Sequence, residues 1–413
     1  MKLSIHKLSN SASNRVIAYI IGFALAIYPI NNDHQPLLHY FFLPTVGLGL
    51  LAIAVLLYCI ESDWKLSLGP KWVWIPMLII ALSMTARIAI TPNMTAVASA
   101  LYGWVLVCLY LVARDLGKDI VKVLLPFVIV EALSVIVYGL WLNPGQIAGG
   151  LITSPPSALH EANYEIAAGY LIFGAVLLRG KWQWLLIGLV LVALFFSGST
   201  ETLFIVGVLG LVVLIRRDWG KRLWIPLGCL LLVVAAWTAV GNTGKLYQYA
   251  EDRVNSVRAV VTGQQTIVIQ GQTHDSSQFG ELILHGRLQV AIDAIKNISW
   301  LGHGVVLDNN SANPVHNVPL IIMDQIGPVA ALAWLFMVIM LTVKTKWKYA
   351  WIAVLAMSVF DHYLWDQLGG WVYLLAGLST VDLGKQTTDL IFRRSKVEPR
   401  TIKIEMQEAD DAQ

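Results

Sequence analysis

Long apolar segments, separated by short polar links, run along most of this chain. A helix needs about 20 residues to cross the apolar core of a bilayer, so segments of this length are typical of membrane-spanning helices. Membrane-spanning strands would instead give short segments of alternating polarity. The pattern therefore predicts an all-α bundle, a polytopic integral membrane protein with about 12 transmembrane helices. The predicted spans are residues 15–30, 39–60, 72–90, 95–113, 121–142, 162–178, 182–198, 200–216, 223–241, 317–343, 348–365 and 369–384.

Two of the predicted links are very short and allow a second arrangement. The letters SGST join the seventh span to the eighth, and DQLG joins the eleventh to the twelfth. Each of these pairs forms either two full crossings or a hairpin that enters the membrane only partway.

The composition supports a membrane protein and argues against other classes. Hydrophobic residues make up 57% of the 413 residues, charged residues make up 13%, and the mean hydropathy is +0.65. This is too apolar for one water-soluble domain of such length. The formal charge is only +3, so we expect no binding to nucleic acid. Cys59, Cys108 and Cys229 lie inside apolar runs without ligand-like spacing, so we expect neither a disulfide framework nor a metal site.

Lysine and arginine are concentrated in alternate links, which predicts the orientation of the bundle. With a cytoplasmic N-terminus, the inner links are ESDWKLSLGPK, RDLGKDIVK, RGK, RRDWGKR and KTKWK, and all of them contain basic residues. The short outer links, such as NNDHQPLL, TPNM and SGST, contain no lysine or arginine. Because cytoplasmic links are enriched in these residues, we expect both termini in the cytoplasm.

One outer segment, residues 242–316, is far longer and more polar than the other links. It separates the first nine spans, within 1–241, from the last three, within 317–384. A charged tail follows at 385–413, which we expect to be cytoplasmic and disordered. Within the long segment, KLYQYAEDRVNSVRAVV and FGELILHGRLQVAIDAIKN have helical spacing. The stretch between them, TGQQTIVIQGQTHDSSQ, is either a short ribbon or a mobile loop.

Polar residues from distant parts of the sequence gather in the predicted outer half. A transporter is expected to place ionisable groups near the middle of the membrane and to have related halves. Here the only clear acid in the middle of a span is Glu131, which we interpret as a packing residue. The distribution favours a site that opens to the outer side. The outer groups include His160, Glu161, Asn163, Glu165, Arg287, His303, Asp308, His316, Asn317, Asp361 and His362.

Two arginines are candidate contacts for an anionic substrate. Arg287 is either an exposed charge on an amphipathic helix at the interface or a clamp for phosphate or pyrophosphate, because a guanidinium offers planar, bidentate donors. Arg87 lies late in the third span, so it either extends to the outer interface or faces the polar centre of the bundle.

The pair His316 and Asn317 stands directly before an apolar run that enters the membrane. The histidine is either a helix-terminal residue bonded to the loop or a proton acceptor for a sugar hydroxyl. The start of a helix presents free N–H groups to an anion, and Pro319 fits its first turn. The pairing at this position favours function. By contrast, Gly302 and Gly304 predict a tight turn, since no strand and helix surround them as in a nucleotide site.

Four segments in order resemble the O-antigen ligase and polymerase superfamily, bacterial membrane glycosyltransferases that use glycans linked to polyprenyl pyrophosphate. They span about residues 155–345, and FDHYLWDQLGGWVYLLAGL is similar to the closing helices of some members. In the first segment, Asn163 and Ala167 are similar to an Asn-x-x-Ala stretch of the family, with one more residue between them. The four segments are HEANYEIAAGYL, LFFSGSTETLFIVGVLGLVVLIRR, HGRLQVAIDAIKNISWLGHG and VHNVPLIIMDQIGPVAALAWL.

The resemblance implies transfer of a glycan from an undecaprenyl-pyrophosphate donor to an acceptor hydroxyl, on lipid A-core or a similar glycan or lipid. The reaction would take place on the periplasmic face of the bacterial inner membrane and need neither cofactor nor metal. His316 and Arg287 would be catalytic: Arg287 would hold the pyrophosphate, and His316 would act as general base or orient the acceptor. Substrate-binding roles would fall to Asn317, Asn163, Arg87, His362 and Asp361.

One departure from the family pattern concerns the donor. Where the family usually has an arginine after the serine at 199, this chain has Thr200 and Glu201. Either Arg87 or another arginine supplies that charge, or the donor differs. Two other functions stay open: a polysaccharide polymerase of the same superfamily, and a twelve-span transporter or flippase of lipid-linked oligosaccharide, which fits the same span number and orientation.

Overall fold

The structure is a computed structural model that describes residues 2–27, 43–62, 66–141, 164–177, 183–197, 266–269, 272–275, 295–304, 317–360, 364–365 and 368–381. Its helices are α1 (Lys2–Ile27), α2 (Leu43–Glu61), α3 (Lys71–Ile90), α4 (Met94–Trp141), α5 (Tyr164–Leu177), α6 (Gln183–Ser197), α7 (Val318–Ile326), α8 (Pro328–Lys344), α9 (Lys348–Phe360) and α10 (Gly369–Val381). Two strands, β1 (Thr266–Ile269) and β2 (Gln272–Asp275), form an antiparallel pair.

The described part of the chain is helical apart from this ribbon, as the apolar pattern predicts. By length and composition, residues 71–90 and 94–140 are apolar enough to cross a membrane. Most of the other described helices coincide closely with predicted spans, but α1 begins at Lys2, well before the predicted start at residue 15. Spans 200–216 and 223–241 and the tail 385–413 lie outside the described residues. The number of crossings and the positions of the termini stay predictions. The ribbon confirms one of the two alternatives for the segment TGQQTIVIQGQTHDSSQ.

The predicted link between the fourth and fifth spans is wrong, because residues 94–141 form one helix. The apolar stripe continues through the basic letters, with Leu116, Ile120 and Leu124 buried four residues apart. The charged side chains alternate with them, and Lys122 is exposed and pairs with Asp119 at 2.6 Å. A charged stretch with this spacing is compatible with a helix that has one face buried and the other exposed to solvent or headgroups.

Helix α10 lies at the centre of the described bundle, where nearly all of its residues are buried. Trp371 packs against the rings of Tyr170, at 4.7 Å, and Phe173, at 6.3 Å, both on α5. Its indole N–H also donates to the carbonyl of Leu25 on α1, at 3.0 Å. Gly377 on α10 lies close to Ala113 on α4, so these two helices also pack against each other. Exposed apolar side chains such as those on α8, with Leu332 67% and Val343 73% exposed, give the outer surface of the bundle a character suited to lipid.

A buried arginine joins three elements at one end of α10. Arg114 on α4 is only 7% exposed. Its Nη1 donates to the carbonyl of Thr380, at 2.9 Å, and to the hydroxyl of the same residue, at 2.7 Å. Its Nη2 donates to Ser67, which precedes α3, at 3.3 Å. Because a buried charge is tolerated only when it is hydrogen-bonded, Arg114 ties α4 and α10 to the start of α3.

Candidate functional site

The predicted span 317–343 is interrupted at Gly327, and this interruption builds the candidate site. In a continuous helix the carbonyl of Asp324 would accept from the N–H of residue 328. That residue is Pro328, which has no N–H. The chain instead turns at Gly327, with φ 99° and ψ 163°, so α7 ends there and α8 starts. The prediction of one continuous helix is therefore wrong, and the last carbonyls of α7 are free to bind other donors.

The turn at residues 302–304 supplies those donors. The N–H of His303 donates to the carbonyl of Asp324 at 2.6 Å, and the N–H of Gly304 donates to that of Gln325 at 3.0 Å. Both glycines of the turn have positive φ, 69° at Gly302 and 98° at Gly304. The prediction of a tight turn is confirmed, and its partner is the broken end of α7.

The turn and the break approach each other too closely for side chains. A Cβ at Gly302 would lie 2.3 Å from the carbonyl carbon of Gln325, and a Cβ at Gly327 would lie 2.1 Å from the carbonyl oxygen of Trp300. Glycine has no Cβ, so at both positions it can adopt the positive φ and also fit the close contact.

Arg87 holds the same turn from the end of α3. Its Nη1 donates to the carbonyl of Gly302 at 2.6 Å, and its Nη2 donates to the carbonyl of His303. The Nε of Arg87 is buried and has no hydrogen-bond partner within the described residues. Arg87 thus binds the backbone of the turn, and its role toward a substrate stays a prediction. Any contact with an anion would use its remaining N–H groups.

A second contact joins the turn to α7 through side chains. The Nδ1 of His303 lies 2.9 Å from Oδ1 of Asp324. The side chains of His303 and Asp324 are 48% and 36% exposed, so the pair stands at the surface of the cluster. A carboxylate at this distance stabilises the tautomer with hydrogen on Nδ1. The Nε2 then carries a lone pair that can accept a proton or a hydroxyl hydrogen.

Helix α7 is also tied to the end of α9 and to Trp365, which follows α9. At its start, Asn317 is the N-cap and accepts from the N–H of Leu320 at 3.1 Å, while its amide donates to the carbonyl of Val359 at 3.2 Å. At its end, Gln325 accepts from the indole N–H of Trp365 at 2.9 Å. The carbonyl of Trp365 accepts in turn from Tyr102 of α4 at 3.3 Å.

We call Arg87, Gly302, His303, Gly304, Asn317, Asp324, Gln325 and Trp365 the α7 cluster. It includes two predicted site residues at opposite ends of α7: Arg87 binds the turn beside its C-terminal end, and Asn317 caps its start. The predicted Asp361 and His362 lie outside the described residues, so their roles stay predictions. His316, Arg287 and Asn163 also lie outside the described residues, so their roles stay predictions.

Sequence patterns alone do not identify Asp324, Gln325 and Trp365 as parts of the site. Asp324 stands inside an apolar run, where spacing gives it no special role. The signal that could have found it is the pair Gly327 and Pro328, since a proline four residues after Asp324 removes the donor of its carbonyl. The partner of the freed carbonyl, a turn more than 20 residues earlier, could not be read from local pattern.

Within the described ranges, no group of three or more histidine, cysteine, aspartate or glutamate side chains is placed to hold a metal ion. No family model matches the chain, and none of the curated proteins compared with it matches either. The resemblance to O-antigen ligases and polymerases therefore rests on the order and content of its own motifs. Parts of two of these motifs, the Gly-x-Gly turn and the His-Asn helix, meet in the α7 cluster.

Proposed function

We propose that this chain is a membrane glycosyltransferase of the O-antigen ligase type. It transfers a glycan from an undecaprenyl-pyrophosphate donor to an acceptor hydroxyl, on lipid A-core or a similar molecule. The reaction takes place on the outer face of the bacterial inner membrane.

The observation that carries the proposal is the convergence of separate polar segments on one short helix. The turn 302–304 and Trp365 bind α7, and Arg87 binds the same turn. His316 is the residue directly before the N-cap Asn317. A site built by cross-linked backbone and side chains suits a transferase, which needs fixed groups around the reacting atoms.

The chemistry requires three features of the site. Pyrophosphate is a good leaving group, so cationic donors that hold it suffice to stabilise the charge that develops. In the proposal Arg287 provides this contact, and Asn163 helps to shape the cavity. His316 takes the acceptor proton or orients the acceptor, with Asn317 fixing the chain beside it. An apolar groove between helices would receive the polyprenyl chain, and no cofactor is needed.

Thr200 and Glu201 stand where the family usually carries an arginine. In the proposal Arg87 does not simply replace that arginine. Two of its N–H groups already bind the turn, so Arg87 contributes mainly by holding the cluster. A donor with a smaller requirement for cationic contacts, or another arginine, then completes the site.

A reconstituted transfer assay tests the proposal. Purified protein is mixed with undecaprenyl-pyrophosphate-linked glycan and lipid A-core, and the glycosylated acceptor is measured for the wild type, His316→Ala and Arg287→Ala. Lys122→Ala serves as the control, because Lys122 is an exposed cation on α4 paired only locally with Asp119.

We expect transfer by the wild type and the control, and a loss of about 100-fold or more in each site variant, which is typical for removal of a proton-transfer or oxyanion-type contact. Extension of the lipid-linked glycan without transfer to lipid A-core would indicate a polymerase instead. Full activity of one folded site variant would remove that residue from the assignment.

A further inference from the structure

We propose that His303 accepts the proton of the acceptor hydroxyl, and that Asp324 and Arg87 are the positioning residues that hold it for this step. The inference rests on the proposed function and narrows it. It assigns proton transfer to His303 and leaves orientation of the acceptor to His316 and Asn317.

The side chain of His303 has the arrangement that a general base needs. Asp324 lies 2.9 Å from its Nδ1 and favours the tautomer that leaves Nε2 as an acceptor. The ring is 48% exposed, so Nε2 is accessible to a hydroxyl group. A carboxylate bound to Nδ1 also stabilises the imidazolium that forms when the proton arrives.

The backbone of His303 is held by hydrogen bonds that do not involve its imidazole ring. Its N–H binds the carbonyl of Asp324, and its own carbonyl binds Arg87. Gly302 and Gly304 on either side are bound to Arg87 and Gln325. The turn is therefore held without the imidazole, which leaves this side chain available for chemistry. A general base must keep its position within a few tenths of an ångström to work efficiently.

His303 also lies on the same side of α7 as the predicted acceptor site. Asp324 follows Asn317 by seven residues, which is about two helical turns and roughly 10 Å along the axis. Asn317 and Asp324 therefore share one face of the helix. His316 precedes the first of these residues, and His303 is bound to the second. A glycan acceptor placed along this face would extend from Asn317 to His303.

The proposed step is a displacement at the anomeric carbon of the donor glycan. The acceptor oxygen forms a bond to the anomeric carbon of the donor glycan, while the bond from that carbon to the pyrophosphate oxygen breaks. The electron pair leaves with the undecaprenyl pyrophosphate. The hydroxyl proton passes to Nε2 of His303, and it is later released to the departed pyrophosphate or to water.

The transfer assay described above tests this step with His303→Gln, Asp324→Asn and Arg87→Lys, compared with His316→Ala and with Lys122→Ala as control. Glutamine keeps hydrogen-bonding capacity but cannot take up the proton. We expect His303→Gln to lower kcat by about 100-fold or more with little change in KM. Asp324→Asn can bind the opposite tautomer and is expected to lower kcat by at least about tenfold.

The pH profile separates proton transfer from a structural role. Among the described residues, the charged groups facing His303 are Asp324 on α7 and Arg87 on α3. We expect kcat/KM of the wild type and of His316→Ala to fall toward acid pH, because a protonated imidazole cannot accept. The fall should be absent in the residual activity of His303→Gln. Arg87→Lys should lower kcat while keeping the acid fall of the wild type.

Wild-type kcat in folded His303→Gln, or an unchanged acid fall in that variant, would overturn the assignment to His303. Wild-type kcat in Asp324→Asn would overturn the positioning role of the carboxylate. Failure of the wild type to transfer any glycan would contradict the proposed function itself. The two failures are thus distinguishable in one set of measurements.

Discussion

Gly302 and Gly327 set the local geometry of the α7 cluster, because each combines a positive φ with a contact that leaves no room for a Cβ. The two residues belong to different segments, and each contacts the backbone of the other segment. A side chain at either position would force the turn and the break apart.

Gly327→Ala is expected to destabilise the protein by roughly 2–4 kcal/mol, through a strained backbone and overlap with the carbonyl of Trp300. The matched control is Gly49→Ala on α2, where a Cβ would meet nothing within 4 Å. Alanine is favoured over glycine in a helix by up to about 1 kcal/mol, so the control should be neutral or stabilising. Thermal unfolding in detergent measures both, and equal midpoints in the two variants would contradict the described contact.

Asn317 has two separable roles, since its oxygen caps α7 and its amide N–H binds Val359. Serine is also a good N-cap but is too short to reach Val359. Asn317→Ala should therefore destabilise by about 1 kcal/mol or more, and Asn317→Ser by less. Denaturant titration in detergent distinguishes them. A larger loss in the serine variant than in the alanine variant would show that capping is unimportant here.

At the residue scale, the sequence identifies candidate site residues only where polar groups gather between apolar runs or stand at predicted helix ends. Asn317 was found because it precedes an apolar run, and the structure places it as the N-cap. The side chain of Asp324 was missed because its significance comes from His303, which lies more than 20 residues away. Hydrophobic pattern reports which face of a helix is buried, but it carries no information about a distant partner.

At the element scale, the position of α3 relative to α7 depends on the turn between them. Arg87 binds two carbonyls of the turn, and the turn binds two carbonyls of α7. The three elements therefore form one hydrogen-bonded unit. The break between α7 and α8 allows this unit to form, because a continuous helix would have no free carbonyls to offer.

Arg87→Ala should loosen the turn without unfolding the bundle. Hydrogen bonds to a charged group contribute about 1.5–3 kcal/mol each, so the amides of His303 and Gly304 should exchange with solvent roughly tenfold faster or more. Hydrogen exchange of peptides covering residues 298–304 measures this change, with Lys122→Ala as the control. Unchanged protection in Arg87→Ala would mean that the guanidinium does not hold the turn.

The apolar runs of the sequence correctly predict the positions of most described helices, because burial in a helical bundle follows local hydrophobicity. They failed at two connections, for opposite reasons. The charged letters after Arg114 look like a loop, yet Leu116, Ile120 and Leu124 keep a buried helical face through them. The run 317–343 looks like one helix, yet Gly327 and Pro328 end it.

At the scale of the whole molecule, polar contacts concentrate at different places along the bundle. Arg114 ties α3, α4 and α10 at one place, and Arg87 joins α3 to the α7 cluster at another. The described apolar core includes Trp334, Trp351 and Trp371, which are fully buried. Such an arrangement suits a rigid bundle that presents a fixed site, and a transporter would instead need two alternating arrangements of its halves.

The most direct test is to supply lipid-linked glycan and lipid A-core to the wild-type protein in proteoliposomes, and to measure both covalent transfer and movement of the glycan lipid across the bilayer. The account predicts a glycosylated acceptor, formed on the side that the large outer segment faces, without coupled movement of the donor. Movement of the lipid-linked glycan across the membrane with no covalent product would contradict it and identify a flippase.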